Sequence, residues 1–264
     1  MSPESSPASP SSAPVTVSSA DGVMTITIDR PQVRNAINRA VSLAVCAAID
    51  ELEARADLRC AILTGAGGHF CAGMDLKAFT QGEVIGIPGR GTLGIVETPP
   101  AKPLIAAVEG YAVGGGFEIM LVCDLAVAAR DARFGLPEAK RGLLAASGGL
   151  MRLPRLIPPR VAMQMALTGD LVGAETLHQL GLINVLTETG GALAAARELA
   201  RAIAANAPLS VQLGKRVINA QRDWPVDEMW RRQDAVLGDF RSFNDAREGA
   251  RAFVEKRAPR WTGS

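Results

Sequence analysis

Twice in this chain a short apolar run, too brief to make a helix, empties into a cluster of glycines. Cys60-Ala61-Ile62-Leu63-Thr64 leads into Gly65-Ala66-Gly67-Gly68, and Leu104 to Val108 leads to Gly110 and then Gly114-Gly115-Gly116. Such runs predict buried strands that end in loops. Around them, Val23-Met24-Thr25-Ile26-Thr27-Ile28 carries β-branched residues in alternation, the mark of another strand. Ile37, Val41, Val45, Ile49 and Leu52 recur every three or four residues, the spacing of a helix with one buried face. Phe117 to Val122 reads as a second helix and Leu125 to Ala128 as a further strand. Strands alternating with helices restrict the body of the chain to an α/β fold.

Beyond Gly148 the pattern turns helical, over Arg160 to Leu167, Ala174 to Leu180 and the alanine-rich Ala192 to Ala205. Pro208 cannot continue that last helix, and Leu209 to Phe253 reads as a more charged helical region. The first residues, MSPESSPASPSSAPVTV, are rich in Ser and Pro and precede the first basic residue, Arg30, so they read as a tail and not as a targeting peptide. The expected organisation is a disordered tail over residues 1–17, a core over 18–207 and a helical region over 208–264, with order beginning at Val23.

Charge narrows the range of partners. Lys and Arg number 28 against 27 Asp and Glu, a net charge of +1 with no basic run, which disfavours nucleic acid and anionic membrane surfaces. No apolar stretch approaches the roughly 18 residues needed to span a bilayer. Four cysteines without a C-x-x-C pair and two histidines argue against a zinc site or a disulfide framework, and a reducing cytoplasm is the expected setting.

Several chemistries compete for the remaining features. No G-x-S-x-G elbow occurs, and Cys71, two residues from His69, reads as a packed thiol because a reactive one needs an electropositive setting. The loop at Gly65 puts Phe70 where a dinucleotide fingerprint wants its third glycine, and no P-loop exists. Gly114 to Gly116, at a helix start, either present free backbone N–H groups to a developing oxyanion or simply let a helix approach a strand. Cys71-Ala72-Gly73-Met74-Asp75 turns sharply at Gly73 and offers a second donor. Glu118, in the first turn of its helix, reads as a dipole-favoured acid or an acid–base group. Glu138, after Gly135-Leu136-Pro137, reads as a solvated neighbour of Lys140 and Arg141 or as its counterpart.

Taken in order, these segments resemble the crotonase (enoyl-CoA hydratase/isomerase) superfamily from about Val23 to Pro259. The resemblance is carried by Arg34-Asn35-Ala36-Ile37, by Phe70 to Lys77, by Ala107 to Glu118, by Cys123-Asp124, by Phe134-Gly135-Leu136-Pro137-Glu138 and by Ala252 to Arg257. It implies a spiral of ββα units with a C-terminal helical trimerisation region, assembled as a homotrimer or a hexamer made of two trimers. It implies an acyl-CoA partner whose thioester carbonyl sits between the backbone N–H groups of Met74 and Gly115. Glu118 and Glu138 match the two glutamates that hold a water at the β-carbon, Glu118 to deprotonate it and Glu138 to protonate the α-carbon. Ala72, Asp75, Leu76 and Lys77 match the substrate path. Phe253 and Lys256 match tail positions that reach the adenine and phosphate end of CoA, often from a neighbouring subunit, and Arg34 matches a phosphate contact. The implied enzyme is a hydro-lyase of fatty acid metabolism that adds water to a 2-enoyl-CoA and needs neither metal nor redox cofactor. A 3-enoyl-CoA isomerase using Glu138 alone and a non-catalytic acyl-CoA-binding paralogue are the alternatives.

Three departures from the family pattern stand out. Ala145-Ala146 replaces a common Pro-Gly, Met74 is bulkier than the usual alanine, and the acyl-facing segment from Ala78 to Pro100 is rich in glycine.

Overall fold

The computed structural model describes residues 13–264. Its frame is a six-stranded sheet formed by β1 (Val15–Ala20), β2 (Val23–Ile28), β3 (Cys60–Gly65), and, after the helices α1 (Arg39–Ala54) and α2 (Leu76–Thr80) and the small hairpin of β4 (Gly86–Ile87) and β5 (Gly91–Thr92), by β6 (Leu104–Val108). A short strand β7 (Tyr111–Val113) and helix α3 (Gly115–Met120) follow, then β8 (Leu125–Ala129) and β9 (Arg133–Gly135). Next come α4 (Gly149–Leu156), α5 (Pro159–Thr168), β10 (Val172–Gly173), α6 (Ala174–Gln179), β11 (Val185–Thr187), α7 (Ala192–Ala204), α8 (Pro208–Ala220), α9 (Met229–Leu237) and α10 (Asn244–Glu255). The large sheet has the order β1-β2-β3-β6-β8-β11, parallel throughout except for the β1–β2 hairpin.

A second, smaller sheet has the order β10-β9-β7, and Cys71 joins it by a parallel bridge to Ala112. The chain therefore visits the large sheet, crosses to the small one, and returns through a helix. β3, the Cys71 to Met74 segment and α2 make one such turn, and β6, β7 and α3 make the next. This is the ββα spiral that the resemblance implies, and it explains why glycines follow each long strand: the chain must turn sharply to start the short one.

Side-chain alternation sorts the core into two layers. Ala61 and Leu63 of β3, with Ala106 and Val108 of β6, face the main core beside Phe117 and Phe134. Cys60, Ile62, Ile105, Ala107 and Val127 face the other way, onto Ala192, Ala196 and Ala200 of α7. Alanines four residues apart let that helix lie close against the sheet.

Two boundaries differ from the sequence reading. Order begins earlier than Val23, because Val15–Ala20 pairs with β2 through an Asp21-Gly22 turn in which both residues have positive φ (53° and 76°). Asp-Gly is the preferred two-residue hairpin turn, so the signal was present in the sequence. The tail assigned to residues 1–17 thus overlaps a strand at its end, while residues 1–12 lie outside the described part of the chain. Ile37 is buried as its spacing predicts, yet it precedes α1, which starts at Arg39 with Asn38 Oδ1 accepting the Val41 N–H at 3.1 Å.

The helices after Pro208 return to the body at a few points. Lys215 Nζ meets Asp124 Oδ2 at 2.6 Å, and Trp261 Nε1 donates to the Ala205 carbonyl at 2.7 Å. Among the described residues, no helix is long and apolar enough to cross a membrane.

Candidate active site

Two loops meet where the first and second spiral turns touch. Ile37 donates its N–H to the Gly73 carbonyl and accepts from the Asp75 N–H, both at 2.8 Å. In a parallel bridge of this kind the residue between, Met74, turns its own polar groups to the opposite side. Gly115 opens α3, where the first N–H groups of any helix lack intrahelical acceptors. Among the described residues, neither the Met74 nor the Gly115 N–H has an acceptor. The two amides are neighbours: a Cβ built on Gly115 would lie 3.7 Å from the Met74 nitrogen, and one on Gly73 would lie 3.2 Å from the Gly115 nitrogen.

The glycines of the cluster differ in their surroundings. Gly116 is a packing glycine, since a Cβ there would lie 2.2 Å from the Cys71 carbonyl oxygen. Gly115 has room around it, with nothing closer than 3.7 Å to such a Cβ. Its glycine leaves the amide uncovered.

Glu118 stands one helical turn after Gly115, on the same side of α3. It is 3% exposed, and its Oε1 accepts the Gly149 N–H at 2.8 Å. Its pKa is raised to about 7, by burial first and by the negative charge of Glu138, against the pull of the Gly149 N–H in the other direction. Glu138 lies in the 3₁₀ turn Pro137–Arg141, half-buried, with Oε1 3.1 Å from where a Cβ on Gly114 would sit. Its Oε2 is buried and has no partner among the described residues, and burial raises its pKa as well. Two carboxyls lining one cleft, both shifted upward by burial, do not both ionise freely, so near neutrality the pair holds a proton.

A cleft of about 700 Å³ is lined by Met74, Gly115, Glu118 and Glu138 together. Ala72 and Leu76 also line it, as the sequence reading expected. The segment from Ala78 to Pro100 forms its far wall through Phe79, Ile85, Gly86, Gly91, Thr92, Val96 and Glu97. That segment is pinned: Arg39 Nη1 donates to the carbonyls of Val84 and Gly86 at 3.1 and 2.7 Å, and the Arg39 N–H meets Glu83 Oε1.

Other expected contacts fall outside the cleft lining. The Asp75 carboxylate caps α2 through the N–H groups of Lys77 and Ala78 and pairs with Arg30 at 3.0 Å. Its observed work is structural. Lys77 is on the exposed side of α2, and Arg34 lies over the Tyr111 ring at 5.4 Å, its carbonyl accepting the Ala72 N–H. Phe253, 85% exposed, and Lys256 sit on and just after α10, away from the cleft. Cys71 is fully buried and burial pushes its thiol up to about 12, in keeping with a packed residue.

Sequence reading missed part of the site. Thr92 and Ser147 share a hydrogen bond at 2.8 Å that ties the far wall to the loop before α4. Arg141, Leu143, Leu144 and Ala146 complete the lining. Arg152 holds the Val96 carbonyl at 2.6 Å. No local motif marks these residues; they matter because the 142–149 loop folds back over Glu118. Among the described residues, no group of three or more His, Cys, Asp or Glu side chains is placed to hold a metal.

The profile described as enoyl-CoA hydratase/isomerase matches residues 18–264. The chain belongs to this family. Among curated relatives, the carnitinyl-CoA dehydratase of Salmonella typhi is 42% identical over 250 residues, covering 91% of this chain and 95% of that protein. A crystal structure of an enoyl-CoA hydratase from Mycobacterium marinum is 55% identical with a TM-score of 0.94, covering 96% of this chain and 100% of that one. A carnitinyl-CoA hydratase from Mycobacterium avium is 42% identical with a TM-score of 0.77, over 96% and 100% of the two chains. The fold of this chain is accordingly the crotonase fold of these enzymes, and the hydro-lyase chemistry named for them is the chemistry against which its cleft is read.

Proposed function

We propose that this enoyl-CoA hydratase/isomerase family member adds water across the 2,3 double bond of a 2-enoyl-CoA to give the 3-hydroxyacyl-CoA, and runs the reverse dehydration through the same groups. The observation that carries this reading is the convergence of two unused main-chain N–H groups, the buried Glu118 and the half-buried Glu138 on one cleft. Hydration builds enolate charge on the thioester oxygen. The Met74 and Gly115 amides are fixed before that charge appears, and each such donor is worth about 2.7–4 kcal/mol in comparable sites.

The two acids take different parts. Glu118, raised to about 7 by burial against the opposing pull of the Gly149 N–H, exchanges a proton near neutrality and deprotonates the attacking water. Glu138 has a buried oxygen without a partner, which suits the carboxyl that carries the proton to the α-carbon. Having both groups in the cleft favours hydration over an isomerisation that needs one carboxyl. The proposed steps move only protons and water, with no metal or redox cofactor taking part. Ala72 and Leu76 flank the thioester, and Arg34, Lys77, Phe253 and Lys256 remain our candidates for the CoA end, the last two toward a neighbouring subunit. Ile218, Val226, Trp230, Phe253 and Val254 expose large apolar side chains on or between the C-terminal helices, which supports assembly as a homotrimer or a dimer of trimers.

The test is the loss of conjugated-enone absorbance when purified protein meets crotonyl-CoA. Glu118→Gln and Glu138→Gln are each expected to lower kcat by about 10²–10⁴-fold while a non-reactive CoA thioester still binds. Conversion of a 3-enoyl-CoA with crotonyl-CoA left untouched would replace hydration by isomerisation. No turnover of either would leave a binding protein.

A further inference from the structure

The C-terminal tail turns back along α10. Lys256, at φ +53°, closes the helix in the left-handed region, and two buried acids of α10 hold the returning chain. Asp245, 3% exposed, accepts the N–H groups of Thr262 and Gly263 at 2.7 and 2.9 Å. Glu248, 9% exposed, accepts the Arg260 N–H at 2.9 Å, Arg251 Nη2 at 2.7 Å, and both terminal nitrogens of Arg257 at 2.5 and 3.0 Å. Helix and tail together line a cavity of about 640 Å³ that shares no residue with the acyl cleft. Its wall carries four arginines, Arg247 and Arg251 from α10 and Arg257 and Arg260 from the tail, against Glu248 alone. Arg257 is fully offset, since its Nε also meets Glu255 at 2.6 Å, and Arg251 shares Glu248 with it. Among the described residues, Arg247 and Arg260 form no ion pair and their guanidinium groups reach no acceptor.

We propose that this fold-back binds a small polyphosphate anion, with the Arg247 and Arg260 guanidinium groups as its primary donors and Arg251 as a third. A guanidinium presents five N–H donors in a fixed fork that matches phosphoryl oxygens. Two unpaired forks in one cavity suit linked phosphates better than a single carboxylate. Glu248 does not fill the site: its oxygens are spent on Arg251, Arg257 and the Arg260 N–H, which sets the walls before an anion arrives. The volume falls within the range of small-molecule sites, about 300–1,000 Å³. On α10, Asn244, Arg247, Glu248 and Arg251 recur at spacings of three and four and share one face, whereas Phe253, two positions past Arg251, projects from the other. The arginine face is therefore separate from the Phe253 side assigned above to the CoA end. The site stands whether or not the chain hydrates crotonyl-CoA.

The experiment is calorimetric titration of the full chain with inorganic pyrophosphate. The wild type should bind one pyrophosphate per chain, with an affinity that falls as salt is added. Arg247→Gln and Arg260→Gln should each weaken binding roughly tenfold, and the double variant should abolish it. Both side chains are exposed and unpaired, so Tm should hold; Arg247→Lys and Arg260→Lys serve if a glutamine variant does not fold, and should retain binding at reduced affinity. Arg160→Gln, an exposed arginine on α5 outside the cavity, should bind as the wild type does. No saturable heat up to about 1 mM pyrophosphate, or equal binding by the wild type and the double variant, would overturn the proposal. A parallel titration with ADP shows whether a nucleoside adds affinity to the shared diphosphate. Pyrophosphate that displaces a non-reactive CoA thioester from the wild type but not from the double variant would assign these arginines to the CoA end and refute a separate site.

Discussion

Replacing Gly73 by alanine separates the oxyanion argument from ordinary backbone strain. Gly73 has φ +93°, and a Cβ there would lie 2.8 Å from the Val113 carbonyl oxygen and 3.2 Å from the Gly115 nitrogen. Relief of the first contact requires a shift of roughly 0.5 Å between the Met74 loop and the start of α3, the two segments whose amides are to hold one oxygen. Misplacement on that scale costs about 10- to 100-fold in kcat, or about 1.4–2.7 kcal/mol of transition-state stabilisation. Backbone strain adds about 1–2 kcal/mol of lost stability. Gly68→Ala is the control, because Gly68 also has positive φ (+76°) but nothing within 4 Å of a Cβ, and it does not line the cleft. Both variants should lose a few degrees in Tm, since about 1 kcal/mol moves Tm by about 2–4 °C in a chain of this size class. Only Gly73→Ala should lose kcat in the crotonyl-CoA assay. Equal kcat values in the two variants would refute the pairing of Met74 and Gly115 as oxyanion donors.

Two further outcomes are expected. Glu118 titrates near 7 in the fold against 4.5 as the ordinary value, so between those values the folded protein holds a proton that the unfolded chain releases. Stability from this group is therefore full below about pH 4.5 and is lost as pH rises through about 7. Calorimetric Tm values for Glu118→Gln relative to wild type should accordingly climb from about pH 5 to about pH 8; a flat difference would deny the raised pKa. Light scattering should report a trimer or a hexamer, and a stable monomer would remove the assembly proposal and with it the neighbour's contribution of Phe253 and Lys256.

Much of the frame was legible before any coordinates. β3 and β6 announce themselves as apolar runs because a strand buried on both faces has no polar side to show. α1 and α7 carry their contact faces at helical spacing. β7 and β9, three residues each, have too few side chains to establish any period, and β1 was hidden by its Ser/Pro-rich neighbourhood although its Asp21-Gly22 turn was in view. The candidate acids were visible as residue types in a recognisable order, yet their burial was not. Neither Glu118 nor Glu138 carries a local sign of being buried, because burial depends on Gly149, Ser147 and the far wall arriving from elsewhere.

Residue order and spacing were enough to specify the strand–glycine–helix units and to mark Met74, Gly115, Glu118 and Glu138 as members of one family pattern. Their convergence required the parallel crossovers, which stack the first and second spiral turns so that segments about 40 residues apart in sequence come into contact. The same packing turned Asp75 toward Arg30 and brought the Gly149 N–H onto Glu118. Local sequence specifies backbone habit at short range, whereas desolvation and charge proximity depend on which distant segments share a space.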